Sequence, residues 1–438
     1  MPFSIHPKAT EAINKKAVEI ISLIEENNEE ISHRQILSGS FAHRPTVDWS
    51  EKLADRPMIW HNTNNERRVT IYQSYKGIKV GLNEEKYPEF LKLLNSVYKH
   101  NDISRRISFD FLYNETFNWL METYQKKQAE SEYLSFLLDK VKSVTGEYKY
   151  YFQVLNLDIA KVFKIGEVSF EYLTDTFFDK LQEQHKTEEI ESLNKRFQGK
   201  VYATYILKDV EKSRGREIAF LECCKAMNVV KLHARTIVLP EHRCTFDIDR
   251  RVTSNKENEY LIQNLKSDID LSITLFSGST PAMFESDFID SMVSASERFG
   301  TLISIQQPNE LQQLIINSLN RFSEAISTEC IHRRLVDLFT IWESLLLKNN
   351  TENIQDALIK RGGYIFRLNE EGKSEFQSFI NHMYDVRSEV VHHANLKELD
   401  MKKVASLQRY TVNLMFILVG FSINYPTKVS FLEMIDSK

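Results

Sequence analysis

Between Phe376 and Ala394, apolar or small residues recur at steps of three and four: Phe376, Ile380, Met383, Val390/Val391 and Ala394. That spacing puts them on one stripe of an α-helix, the stripe that normally faces a core. One position on the stripe, Arg387, is charged. A guanidinium on an inward face has to be paired or hydrogen-bonded, because burying an isolated charge is far too costly. A chain carrying this stretch must supply an acceptor from another element. The run from Leu335 to Leu347 is apolar around nearly its whole circumference and reads as a buried helix. Glu343 lies inside that run and needs a partner, and Arg387 is the obvious candidate. Five residues after Arg387 comes His392, on another side of the helix and in line with Asp385 and Ser388.

From the residues alone, the Arg387–Glu343 pair has two readings: a buried ion pair that only joins two helices, or part of a reactive site. The wider pattern bears on the choice. Arg334-Leu335 leads into Trp342-Glu343-Ser344-Leu345-Leu346, and Tyr384-x-x-Arg387-Ser388-x-x-Val391-His392 follows. Together these resemble the Apea-like branch of the HEPN superfamily, small α-helical domains, many of them metal-independent ribonucleases of bacterial defence and toxin systems. The resemblance covers residues 310–425. Its pattern is an Arg followed, after several residues, by a His, with a polar residue commonly placed after the Arg. Ser388 fits the polar place, His392 follows Arg387 with four residues between, and His393 with five. The Apea-like spacing of four favours His392. The resemblance also implies a symmetric homodimer with both motifs lining one cleft, and neither metal nor cofactor.

The residue types suit that chemistry. Cutting RNA without metal needs a base for the ribose 2′-OH proton, an acid for the leaving oxygen and positive charge on the phosphate. Neutral histidine suits proton transfer near neutral pH, typically for a gain of about 10²–10⁴-fold. Arginine suits the phosphate because its planar fork donates to two oxygens and stays charged. Arg387 and His392, with Glu343 holding the arginine, are the expected catalytic residues, with Ser388 and His393 as further candidates. Five residues at about 100° each separate Arg387 and His392 by about 140° around an ideal helix. They converge poorly on one phosphate unless the helix distorts or a second copy contributes. A hydrolase-like triad of Asp385, Ser388 and His392 is disfavoured, because the serine would lie on a helix flank with no strand-to-helix elbow and no oxyanion hole in evidence.

At 438 residues, two or three domains and a sizeable core are expected. Phe and Tyr number 27 and 18 against 13 Gly and 9 Pro, which speaks for long elements with short connections rather than disorder. The net charge of −5 gives no global attraction to nucleic acid, so RNA binding has to come from a local basic patch. Cys223, Cys224, Cys244 and Cys330 form no CxxC pair and no zinc spacing; they read as reduced thiols of a cytoplasmic protein. Met1-Pro2-Phe3-Ser4-Ile5-His6 lacks a basic region followed by an apolar core, so no signal peptide is expected. The greasiest run, Leu414 to Gly420, is read as too short and too interrupted by Asn413, Ser422 and Asn424 to span a bilayer. A buried final helix, or one at a subunit interface, is expected there.

Taken in order, residues 8–26 form an amphipathic helix and residues 27–66 read as loop-rich. Val69-Thr70-Ile71-Tyr72 and Ile78-Lys79-Val80 read as strands joined by a turn at Lys76-Gly77. Residues 85–142 are helical in pattern, Tyr148 to Leu157 is strand-like, and the polar stretch from Gln182 to Arg196 is the best candidate for a domain junction, with a helix as the alternative. Val201 to Leu207, Arg235 to Leu239 and Cys244 to Ile248 are β-rich, and Ile269 to Leu275 alternates as a strand with one wet face. Glu217 to Val230 is helical, with Cys223/Cys224 in its core stripe. His242 and Cys244 are two metal-type ligands without two more, which favours a surface loop over a metal site. Ser277-Gly278-Ser279-Thr280-Pro281 breaks the pattern, and Pro308-Asn309-Glu310 opens the last domain. Lys360-Arg361-Gly362-Gly363 reads as a mobile basic loop that either touches a phosphate backbone or is simply solvated; Lys360 and Arg361 are the candidate RNA contacts.

The expectation is an α+β protein: residues 1–195 mostly helical with a short β-hairpin, 196–307 an α/β region with a sensing or regulatory role, and 308–438 an all-α HEPN-like four-helix bundle. The function expected is a metal-independent endoribonuclease of a defence or toxin system. The rival is a noncatalytic dimerisation or nucleic-acid-binding module on the same scaffold. Intact Arg387, His392 and Glu343 favour the enzyme, and the acidic net charge mildly favours the rival.

Overall fold

A computed structural model describes residues 5–27, 59–60, 63–64, 67–75, 78–128, 131–173, 177–178, 197–248, 260–264, 269–272, 282–349, 351–393 and 399–438; at 59–60, 63–64, 67–68, 74–75, 260–264, 269–272 and 392–393 this covers backbone only. The chain is mixed α and β and ends in a run of helices. It divides into two compact units. The first comprises Met1–Tyr148 and Leu207–Gly215, the second Lys149–Ile206 and Arg216–Lys438. The expected boundaries at 195 and 307 do not coincide with this division. The expected junction at 182–196 lies outside the described residues, as does most of the loop-rich stretch 27–66.

In the first unit, helix α1 (Pro7–Ile21) turns Ile13, Ala17 and Ile20 inward, as its spacing predicts. Strands β1 (Glu25–Asn27), β2 (Ile59–Trp60), β5 (Ile71–Tyr75) and β6 (Ile78–Leu82) make an antiparallel sheet in the order β1-β6-β5-β2. Strands β3 (Thr63–Asn64) and β4 (Arg67–Arg68) pair separately. Helices α2 (Tyr87–Tyr98), α3 (Asn101–Ser104), α4 (Phe109–Lys126) and α5 (Tyr133–Val144) follow. They close an apolar core around Phe90, Leu94, Leu112, Phe117 and Leu137. Burial on this scale is what holds such a unit together, at about 25 cal/mol for each Å² of apolar surface removed from water.

Apart from residues 145–148 and 207–211, which belong to the first unit, the second unit contains a sheet in the order β14-β13-β7-β11-β10-β9, with β12 beside β7. Its strands are β7 (Thr145–Leu155), β9 (Phe163–Ile165), β10 (Val168–Tyr172), β11 (Val201–Glu211), β12 (Asp247–Ile248), β13 (Tyr260–Asn264) and β14 (Ile269–Ser272). A short parallel pair joins β8 (Leu157–Ile159) to β15 (Ala282–Phe284). Helix α6 (Lys212–Lys231) buries Cys223 completely and leaves Cys224 partly covered. Helix α7 (Ser286–Ile303) packs on β9, and Gly300 permits it: a Cβ there would stand 2.7 Å from the backbone nitrogen of Gly166.

The β-rich stretch Arg235 to Leu239 is a 3-10 turn over Arg235–Ile237 instead of a strand. Ile237 N–H donates to Ala234 O at 3.0 Å, and the carbonyls of Thr236 and Ile237 accept from the Gln408 amide at 2.9 and 3.2 Å. With its carbonyls taken by a side chain, the segment needs no neighbouring strand. Likewise only Asp247–Ile248 of the expected 244–248 strand pairs, with β7.

Six helices follow residue 309 among the described residues: α8 (Glu310–Ser327), α9 (Ile331–Leu346), α10 (Ile354–Ile365), α11 (Glu370–His393), α12 (Met401–Phe421) and α13 (Lys428–Asp436). Asn309 caps α8 in a capping box with Gln312, which fixes where the helix starts. Helix α9 is the hub, touching α8, α10, α11 and α12. No residue from Arg334 to Leu347 is fully exposed, as an all-round apolar helix requires. The segment around residues 240–244 is hydrogen-bonded into these helices, so the contacts of the last helices reach back across the expected boundary at 307. Arg334 donates to Pro240 O at 2.7 Å, and Cys244 N–H to Ile326 O at 2.8 Å.

Helix α12 is longer than its apolar run suggests. Its 21 residues, with a mean hydropathy of 1.3 over the most apolar window, are by length and composition enough to cross a membrane. Just over half of that window, 56%, is buried. Gln408 and Thr411 on it are wholly inside and hydrogen-bonded, Thr411 accepting from the Trp342 indole at 2.9 Å.

Candidate active site

Helices α9 and α11 bring Glu343 and Arg387 together. Arg387 Nη2 lies 3.3 Å from Glu343 Oε1, and the two side chains retain only 16% and 19% of their exposure. The placement follows from the stripe. Phe376, Ile380 and Met383 are buried against the core, so the next stripe position aims Arg387 at the same interface. The stripe then leaves the core: Val390 is partly covered and Val391 is 47% exposed, against expectation for the latter. Ala394 lies outside the described residues.

Tyr384, one turn before Arg387, completes the pocket around the guanidinium. Its ring lies 5.3 Å below the Arg387 carbon, and its edge contact with Phe339 at 5.2 Å ties it to α9. Burial, and next the negative charge of Glu343, raise the Tyr384 hydroxyl above the ordinary phenol range. It remains a neutral donor at physiological pH. The Nε of Arg387 is buried with no hydrogen-bond partner. Glu343 Oε1 is likewise buried and meets the arginine as an ion pair rather than in a well-aligned hydrogen bond.

The two other buried arginines of these helices are bonded differently. Arg334, only 1% exposed, donates to the carbonyls of Pro240, Thr328 and His242 and to Gln408 Oε1. Arg361 is 4% exposed and donates to both oxygens of Glu352, both oxygens of Asp436 and the carbonyl of Leu346. The expected mobile basic loop at 360–363 is in fact the second half of α10. Arg361 is sequestered within the fold, so a phosphate contact from it would first have to break those bonds. Lys360 is exposed and lies 3.6 Å from Asp436. Gly362 has a packing role: a Cβ there would meet the Phe376 ring at 2.9 Å and Trp342 at 3.2 Å.

Ser388 is partly covered beside Arg387, and Asp385 is exposed, accepting from the Gln355 amide at 3.1 Å. His392 and His393 form the last turn of α11, where only the backbone is described. Residues 387–392 run as unbroken α-helix. The five-residue step therefore carries about 140° of rotation and about 7.5 Å of rise. Among the described residues, no three His, Cys, Asp or Glu side chains come together where they could hold a metal ion. Sequence reasoning passed over the cation–π seat of Tyr384 and the saturation of Arg361. The first had a signal, the three-residue step from Tyr384 to Arg387. The second had none, since Asp436 lies 75 residues away in sequence. No family model, curated protein or solved structure matches this chain.

Proposed function

We propose that the chain is a metal-independent endoribonuclease of HEPN type from a defence or toxin system, with α8, α9, α11 and α12 as its four-helix domain and the rest of the chain sensing a trigger or restraining cleavage. One observation carries the reading. Of the three buried or half-buried arginines described on the helices after residue 309, Arg334 and Arg361 are bonded to several acceptors each, while Arg387 has a single 3.3 Å ion pair; an unpaired Nε is common to Arg387 and Arg334. An arginine that only joins helices gains from saturation; one that receives an anion keeps donors in reserve. In this role Arg387 donates to the non-bridging phosphate oxygens. His392 takes the 2′-OH proton as the 2′ oxygen attacks phosphorus. The P–O5′ bond breaks, a protonated histidine returns a proton to the leaving oxygen, and a 2′,3′-cyclic phosphate remains. The wide angle between Arg387 and His392 is met by a homodimer in which each phosphate is served by both chains.

The test is purified protein incubated with total RNA, with and without EDTA, beside Arg387→Ala. Cleavage that resists EDTA, leaves cyclic phosphate ends and vanishes in the variant is the expected result. Cleavage that requires metal, or that survives Arg387→Ala, overturns the reading. A second reading, a noncatalytic dimerisation or nucleic-acid-binding module, draws on Glu343 already occupying Arg387 and on the net charge of −5. Absence of cleavage together with RNA retention would favour it.

A further inference from the structure

Away from α11, a cavity of about 830 Å³ opens beside the Arg235–Ile237 turn, lined by residues of 233–246 and 282–288. Its apolar side is aromatic. Phe246, Phe284 and Phe288 pack edge to face in series, with ring centres 5.5 and 4.8 Å apart. Phe246 and Phe284 are buried, while Phe288 remains 39% exposed, and Leu239 and Met283 beside it are exposed as well. A concave site that leaves several large apolar side chains in water is what a ligand pocket looks like before its ligand arrives.

The rim carries two guanidinium groups and an imidazole. Arg235, His242 and Arg243 are all exposed at the cavity, and Arg235 makes no ion pair among the described residues. Arg243 pairs with Glu329 at 2.7 Å, but both ends are largely exposed, so the pair is weak and exchangeable. Glu285 is the acid lining the site. His233 is neutral, because burial lowers it to about 4 and its Nε2 is engaged with Ser296 at 2.8 Å.

The wall is set before any ligand binds. Gln408 holds the carbonyls of Thr236 and Ile237, Arg334 holds those of Pro240 and His242, and Cys244 N–H bonds Ile326 O. A prefixed wall lowers the ordering cost of binding.

We propose that this cavity binds a nucleoside phosphate, with the base against Phe288 and Met283 and the phosphate between Arg235 and Arg243. The two halves of the site select the two halves of the ligand. Exposed aromatic and thioether surface favours a flat ring, and a pair of guanidinium forks favours phosphate. Neither half requires that the chain cut RNA.

Isothermal titration calorimetry of the full chain with AMP, adenosine and inorganic phosphate tests this. AMP should saturate one site per chain at sub-millimolar concentration, and adenosine and phosphate should each bind roughly tenfold more weakly or worse, since each makes half the contacts. Arg235→Gln and Phe288→Ala should each weaken AMP roughly tenfold with an unchanged thermal melt. Phe288→Leu, which keeps bulk and loses the ring, guards against a folding defect and should weaken AMP in the same direction. No AMP heat up to millimolar concentration, or wild-type affinity in all three variants, overturns the proposal.

Discussion

Arg387 and Glu343 approach through one nitrogen and one oxygen at 3.3 Å, across the contact between α11 and α9, with the Tyr384 ring beneath the guanidinium. The pair is neither deep nor exposed. Glu343→Gln should therefore destabilise by about 1–3 kcal/mol, between the values for surface and fully buried pairs. Arg387→Ala should cost a similar amount and, on the proposed function, abolish RNA cleavage. His392→Ala should lower cleavage by about 10²–10⁴-fold with the melt unchanged. Thermal melts and cleavage of labelled RNA measure both. A Glu343→Gln melt identical to wild type would remove the pair as a stabilising contact. Wild-type cleavage in both Arg387→Ala and His392→Ala would remove the site.

Gly362 is where α10 presses on the aromatic cluster of Trp342, Phe366 and Phe376. In an exposed helix interior, Gly→Ala would stabilise by up to about 1 kcal/mol. Here a methyl 2.9 Å from the Phe376 ring forces the ring or the helix to move. Gly362→Ala should instead lower stability by about 1–3 kcal/mol, the usual cost of overpacking. Gly363→Ala, whose nearest neighbour is the flexible Lys373 side chain at 3.7 Å, is the control and should not destabilise. Chemical denaturation of the two variants side by side decides it.

Hydrogen bonds from Arg361 hold the Asp436 carboxyl far below the usual carboxylate range and lower Glu352 as well. Both folded-state values lie below the unfolded ones of about 3.9 and 4.3, so the stabilisation is present above about pH 5. It is lost progressively as the pH falls below about 4. Arg361→Met should lower stability at neutral pH by about 3–5 kcal/mol, since it strands two carboxylates. It should also flatten the loss between pH 5 and pH 3. Melting temperature against pH for wild type and variant is the measurement; parallel curves would show that the network does not carry this acid sensitivity.

The five-residue helical step from Arg387 to His392 makes a prediction about stoichiometry. An Arg387→Ala chain and a His392→Ala chain, each inactive alone, should regain cleavage when mixed under subunit exchange, if one intact copy of each residue serves a shared cleft. The masses of the mixed species should be measured alongside. A strictly monomeric species cutting RNA at full rate would overturn the shared cleft.

The one-dimensional pattern determined a good deal. Helical stripes and caps depend on neighbours three and four residues apart, so α9, α11 and the inward aim of Arg387 toward Glu343 were legible from spacing alone. The buried placement of Cys223 followed from the same arithmetic. Tertiary structure decided what the pattern could not carry, because a charged residue's role depends on partners distant in sequence. Arg361 looked like a free cation beside two glycines until α13 brought Asp436 to it. The Arg235–Ile237 segment looked like a strand until Gln408, 172 residues from Thr236, took its carbonyls. Arg387 and Arg361 are the same residue type on neighbouring helices; the number of acceptors that folding delivers to each is what separates a locked guanidinium from one with donors to spare.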